Sequence, residues 1–405
     1  MTPNKKIMTL LTFLGIYFLV SGGSWAIFSY LKKSPGESSS QTTKKVEDSR
    51  RKIDTSAPKT EICPINGAMF TKAEREIWEK RRPMTAIIEN HADSRPQSGL
   101  SRADVVYEAV AEGGITRFLS VFYCGASAED VKIAPIRSIR VYFINWASEY
   151  SKNPVLVHSG GANNICNSCP GEIKPRGDVD PSVDAFKILA KLGWRAPNGN
   201  AMDAGTNLGF PAVKRDQYRL GTKSAWEHSF EGYTDKIFEV AEERGFGAKN
   251  ENGSLWSEDF VKWEFADETP AATPAYTEIS FEFWSNKPDY DVVWKYDKGR
   301  NAYLRVNGGK DHQDFNTKEQ LAVKNLVIEF VKEKGPVDRE GHMFYTNVGS
   351  GKALVFQNGE VIEATWSKAS QFDRTVYKDS AKAEIKFVRG QIWIDAVPDG
   401  NKISY

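Results

Sequence analysis

At 405 residues the chain has room for two or three domains. Its 54 lysine and arginine residues against 53 aspartate and glutamate residues leave a net charge of only +1, without the basic excess of a nucleic-acid protein, and that class is set aside. The 11 tryptophans and 15 tyrosines suit a well-buried body first and a sugar-facing surface second.

The amino terminus is apolar from Ile7 to Leu31, between Lys5-Lys6 and Lys32-Lys33. That length crosses a bilayer. Two readings stand: a signal peptide with its apolar region over Ile7–Val20 and a cleavage site at Ser24-Trp25-Ala26, or an uncleaved anchor over residues 1–31. The anchor is favoured, because apolar residues continue past the cleavage site. No cysteine lies in or beside the segment, which excludes a lipidated cysteine. Lys32, Lys33, Lys44, Lys45, Arg50, Arg51 and Lys52 outnumber Lys5 and Lys6, and the positive-inside rule alone would keep the body in the cytoplasm. A short basic head before an apolar run is how export signals begin, so the expectation is a single-pass membrane protein with an extracytoplasmic body.

Residues 32–60 are Ser/Thr/Lys/Glu-rich and read as a disordered linker. A first domain is expected over 61–250. It opens with a short helix over Ala73–Arg81 ended by Pro83, followed by apolar strands at Thr85–Ile88, Val105–Val110, Phe118–Tyr123 and Pro154–His158. Helices are expected over Ser182–Leu192, after Asp180-Pro181, and over Tyr233–Arg244, capped near Thr234 and stopped by Gly245. From 251 to 405 the pattern changes to half-buried strands at Val261–Phe265, Glu278–Trp284, Val292–Tyr296, Ala302–Val306, Lys352–Phe356, Val361–Trp366, Thr375–Tyr377, Ile385–Val388 and Ile392–Val397. Turns such as Gln357-Asn358-Gly359 separate them. The fold class is therefore α+β: a mixed α/β N-terminal domain around a central sheet, then a β-rich C-terminal domain, preceded by one transmembrane helix.

Cys63, Cys124, Cys166 and Cys169 make an even count, as disulfides in an exported protein would. Cys166 and Cys169 also have the spacing of a redox pair or half a zinc site. A second close pair is missing, however, and Pro170-Gly171 follows where a redox motif would open a helix. Structural bridging is preferred, connectivity stays open, and a free buried Cys124 is the alternative.

Polar residues inside or beside the apolar runs single out a site: Glu89, Asn90, Glu108, Glu112, Arg117, Arg137, Arg140 and His158. Arg137 and Arg140 bracket Ser138-Ile139, and their guanidinium forks suit carboxylate or phosphate. With Arg117, His158 and the Gly160 and Gly161 amides they form the expected anion-binding concavity. The bland reading pairs both arginines with Glu89, Glu108 or Glu112. A second cluster, Arg215, Arg219 and His228, completes that site or merely caps. For catalysis the residues are His158 or His228 as base and Glu108 as acid, although a Glu108–Glu112 pair four residues apart fits a glycosidase poorly. Arg305, His312 and Asp314 place two ligands on one extended face, too few for a metal site. Gly-x-Ser-x-Gly, phosphate-loop and His-Glu-x-x-His motifs are absent, and no metal or cofactor is expected.

Glu89-Asn90-His91, Arg95-Pro96-Gln97-Ser98-Gly99-Leu100, Ala103 to Glu108, Glu112 to Phe118 and Arg137-Ser138 to Tyr142-Phe143 resemble the YerB-type bacterial lipoprotein family, envelope proteins without a settled function. Weaker echoes run through Val157-His158-Ser159-Gly160-Gly161, Asp311-His312-Gln313-Asp314 and Arg389-Gly390-Gln391-Ile392-Trp393. The likeness runs from about Cys63 onward and implies a two-part body outside the membrane. The chain departs from it in carrying an apolar segment where the family has a lipidated cysteine. The expectation is a tethered envelope protein that binds a cell-wall fragment, an anionic small molecule or an envelope protein. The alternative is an envelope enzyme, a hydrolase or transferase acting on a glycan or phosphate-bearing substrate.

Overall fold

Three near-continuous apolar runs become adjacent strands: β1 (Met84–Glu89), β2 (Val105–Glu112) and β3 (Ile115–Phe122). All three are buried along almost their whole length, because both faces of the sheet are covered. The computed structural model describes residues 50–165 and 179–405. β4 (Val155–His158) and β5 (Ala201–Asp203) extend the sheet in parallel beyond β1.

The later half contributes β6 (Glu278–Phe281), β7 (Val292–Asp297), β8 (Ala302–Asn307), β9 (Lys310–Asp311) and β10 (Ala322–Val323), which form a five-stranded sheet. It then sends β11 (Asn325–Lys334), β12 (Phe344–Thr346), β13 (Gly349–Gln357), β14 (Glu360–Lys368), β15 (Val376–Lys378) and β16 (Ile392–Pro398) into the sheet begun by the first half. The resulting 11-stranded sheet has the order β15-β14-β13-β11-β16-β2-β3-β1-β4-β5, with β12 beside the end of β11. β16, from the last residues of the chain, inserts in parallel between β11 and β2, setting Asp395 opposite Glu108. The two halves thus share one sheet, and the body is mostly β with few helices.

Among the described residues the α-helices are α1 (Lys72–Trp78), α2 (Val141–Ala147), α3 (Ala185–Lys191) and α4 (Thr234–Glu243). Thr71 and Glu74 close a reciprocal capping box on α1. α3 starts three residues after the expected Ser182, because Asp184 accepts from Lys187 N–H as its cap while Asp180 closes a turn onto Ser182. Thr234 opens α4, but its hydroxyl accepts from Val131 N–H rather than capping.

Short strands such as β5, β9, β10 and β12 were not expected, and neither were two larger elements. α2 comes from Val141-Tyr142-Phe143-Ile144-Asn145-Trp146, too apolar all round to show a helical stripe. β11 has buried residues on both faces and therefore no alternation. Conversely, of Val261–Phe265 only Phe265 lies in a strand, the short Phe265–Ala266 paired with Phe387–Val388, and the alternation before it reflects Trp263, which is buried and donates to Thr375 O.

Residues 1–49 lie outside the described residues, and with them the expected transmembrane segment and most of the linker. No described helix is long and apolar enough to cross a membrane. From Arg50 the chain lies on the body. Arg51 pairs with Asp235 at 2.6 Å, Ile53 N–H donates to Ala128 O, and Lys59–Ile62 pairs with Met69–Thr71. This end of the expected linker finds fixed polar partners where it has little apolar surface to bury.

Cys63 and Cys124 form a disulfide, so Cys124 is not free. Cys166 and Cys169 lie outside the described residues.

Candidate functional site

Strand alternation divides the polar residues of the 89–118 block between two faces. Glu89 sits opposite Arg117 across β1 and β3. The next residue, Asn90, turns to the other face and donates to Glu108 Oε1 at 3.2 Å and to Asn307 Oδ1 at 3.0 Å. Glu112 would share the Glu108 face by its even spacing. A bulge at Ala111, between the Val110–Thr116 and Glu112–Ile115 pairs, shifts the phase by one residue. Glu112 therefore joins Glu89 and Arg117.

On that face Glu112 accepts from Arg117 Nη2 and, at 2.5 Å, from Arg140 Nη2. Burial alone would raise its carboxyl, but Arg117 and Arg140 overcome that effect and hold it at about 2. Burial, reinforced by Arg140, lowers Arg117 to about 10. Arg137 Nε lies 2.8 Å from Glu89 Oε1 in an ion pair, and its Nη1 donates to Glu227 O. The other oxygen of Glu89 is 2.7 Å from His228 Nδ1, and this bond raises the imidazole against the opposing effect of burial. Four sequence-selected residues, Arg117, Arg137, Arg140 and His228, therefore meet around Glu89 and Glu112. The Nε–H groups of Arg117 and Arg140 are buried with no hydrogen-bond partner among the described residues, whereas Arg137 Nε is held by the Glu89 carboxylate. The Glu112 side chain, 27% exposed, connects this seam to solvent.

The other selected residues go elsewhere. His158 Nδ1 is 2.9 Å from Gly160 O, and burial lowers its pKa. Gly160 N–H is taken by Asp203 Oδ1 at 3.0 Å, so it does not face the arginines. Gly161 bridges Ile139 so closely that a Cβ would come within 2.7 Å of the Ile139 side chain. Arg215 is sandwiched at 4.1 Å from the Trp226 ring and 3.6 Å from Phe230, near enough to Arg137 for repulsion. Arg219 is buried and donates to Pro96 O and Ser94 O, holding a loop.

Glu108 lies on the opposite face, fully buried, 2.5 Å from Arg305 Nη2 and accepting from Thr116 at 2.6 Å. Burial first, then the charge of Glu108, drives Asp395 well above the usual carboxylate range, while Trp294 and Trp393 indoles donate to it. His312, lowered far by burial and then by Arg305, is neutral: its Nδ1 accepts from Arg305 Nη1 and its Nε2–H donates to Gln97 Oε1. Arg305 and His312 come together, while Asp314, expected on the face of His312, instead accepts from Ser101. This is a paired-carboxyl arrangement with no exposed member, and it joins the halves rather than meeting solvent. Its missed member, Asp395, is a lone acid in an apolar strand, the same signal that singled out Glu108.

Family models described as "Protein of unknown function (DUF3048)", N-terminal domain and C-terminal domain, match residues 69–202 and 279–394. The putative lipoprotein YerB of Bacillus subtilis (strain 168) is 30% identical over 340 residues, which cover 83% of this chain and 86% of YerB. The chain belongs to the DUF3048 family. The resemblance read from the 89–118 block is thereby borne out. The crystal structure of YerB from Bacillus subtilis matches the fold with a TM-score of 0.64 at 27% identity, covering 85% of this chain and all of that one. The segments that carried the resemblance to this family are those that build the two networks. Gln97, for instance, donates to Glu89 O and Asn90 Oδ1 and accepts from His312.

Proposed function

We propose that this DUF3048 protein is a membrane-tethered, extracytoplasmic envelope protein that binds an anionic group of a cell-wall fragment or envelope partner at the arginine seam. The placement in the envelope rests on its likeness to a putative lipoprotein, and the tether on the apolar stretch Ile7–Leu31. The observation that carries the binding reading is the pair of undonated guanidinium N–H groups, those of Arg117 and Arg140, beside Glu112. Buried donors without partners are rare, and two at one seam suit a phosphate or carboxylate supplied from outside. Trp226, 59% exposed over Arg215, offers an apolar wall for the uncharged part of such a ligand. The enzyme alternative gains nothing comparable, since its acid, Glu108, is sealed on the other face.

The test is equilibrium binding of the full chain, in detergent, to a glycerol-phosphate oligomer and to a peptidoglycan stem fragment, followed by mass analysis of the probe. Binding of one probe, weakened at least tenfold by Arg137→Ala and unchanged by Arg300→Ala, is the expected result. Absence of binding to both refutes the anion reading, and a shortened probe replaces it with the enzyme.

A further inference from the structure

Beside the seam, where β1 runs out into a short turn, His91, Asp93 and His228 each bring a potential ligand atom within 4.8 Å of the others. We propose that these three residues form a divalent transition-metal site, with zinc as the ion that best fits two imidazoles and a carboxylate.

The atoms are assigned by what each ring has already committed. His228 gives Nδ1 to the buried Glu89 carboxylate at 2.7 Å, which leaves Nε2 as its ligand atom. A carboxylate behind the far nitrogen of an imidazole fixes the ring and its tautomer, the usual support for a metal-binding histidine. Glu89 is itself only 2% exposed and clasped by Arg137, so that support is rigid. His91 precedes the turn Ala92–Ser94, and its Nδ1 lies 3.8 Å from Asp93 Oδ2, a separation that one ion can bridge. The His91 and His228 rings stack at 4.8 Å and 23°. Binding replaces that stack and the 3.2 Å contact from Asp93 N–H to His91 Nδ1.

The surroundings favour a cation. Glu89, Asp93 and Glu227 all act on this pair of imidazoles, and Arg137 opposes them at His228. Three protein ligands leave a fourth position on the exposed side of Asp93 for water or for an anion. The site is inferred independently of the anion reading, because the ion alone is the probe.

The experiment is calorimetric titration of metal-free full chain in detergent with Zn²⁺, repeated on His91→Ala, Asp93→Asn and the double variant Cys166→Ser/Cys169→Ser. His91 and Asp93 sit on a surface turn, so their replacement leaves the body folded. One Zn²⁺ per chain, with affinity at least tenfold weaker in His91→Ala and in Asp93→Asn and unaltered in the cysteine variant, is expected. Co²⁺ should then give the visible absorption of a low-coordinate nitrogen–oxygen site. If Zn²⁺ does not bind, or if binding survives His91→Ala, the assignment is wrong. Survival in His91→Ala together with loss in the cysteine variant would move the metal to the thiols.

Discussion

Three lone acids stand inside apolar strands with the same local look: Glu108 in VVYEAV, Glu329 in LVIEFV and Asp395 in IWIDAV. All three are fully buried, and their fates differ with what faces them. Glu108 meets Arg305, and Asp395 meets Glu108, whose charge adds to burial in driving it well above the usual carboxylate range. Glu329 finds neither: both its oxygens lack a hydrogen-bond partner among the described residues, and burial pushes it up to about 8, with Glu149 reinforcing the rise and Lys368 opposing it. Lys368 is committed to Glu149 at 3.0 Å, both side chains being buried. The sign of the linkage follows. Between the ordinary glutamate value near 4.5 and about 8 the folded state holds a proton that the unfolded chain has released, so stability falls as pH rises through that window. Glu329→Gln should remove that slope, up to about 1.4 kcal/mol per pH unit, and raise stability at pH 8. Chemical denaturation at pH 5 and pH 8 measures it, and equal pH dependence in the two proteins would contradict the assignment. Glu112 behaves oppositely, since its depressed pKa adds stability that is present above about 4.5 and lost as pH falls toward 2.

At the scale of elements, the β2–β3 hairpin determines which carboxylate faces the arginines. Its bulge at Ala111 carries Glu112 to the seam, and its turn, Gly113-Gly114, keeps both residues at positive φ, +54° and +81°. The two glycines differ in space. A Cβ on Gly114 would come within 2.8 Å of Trp284 Cγ, whereas one on Gly113 meets nothing within 4 Å. Gly113→Ala should therefore cost about 1 kcal/mol of backbone strain. Gly114→Ala should cost more, about 1–3 kcal/mol, because contact adds to strain. Urea midpoints of the two variants give the order directly, and a Gly113 variant less stable than the Gly114 one would sink this account of the turn. The cost of misreading an element is visible here too. A strict period of two sets Glu108 and Glu112 together, and only the register across the hairpin separates them.

At the scale of the whole body, β16 is the closure. The last strand of the chain covers the edge of β2, completes the Glu108–Arg305–Asp395 network and pairs with β11, so neither half has a finished sheet without the other. An uncovered β2 would present a long apolar edge. Calorimetry of the protein should consequently show the residues from Arg50 onward melting in a single transition, although family models divide them into two domains. Two resolved transitions, one for each half, would show that the shared sheet does not couple them.

Much of this organisation was legible in the chain itself. Apolar runs bounded by turn residues announced β1 to β4, alternation announced most strands of the second half, and the 89–118 block announced the family. These are local signals, set by side-chain period, turn chemistry and residue identity. The sequence also picked out Arg117, Arg137, Arg140 and His228, because charge inside an apolar run must find a partner. Which partner it finds was decided only by tertiary structure. The Glu108–Asp395 pairing, the Cys63–Cys124 bridge, the diversion of Gly160 to Asp203 and the joining of both halves in one sheet depend on contacts between residues far apart in the chain. No local pattern encodes such contacts. A one-residue bulge or an inserted final strand reassigns a whole face at once, because alternation leaves each side chain only two directions to point.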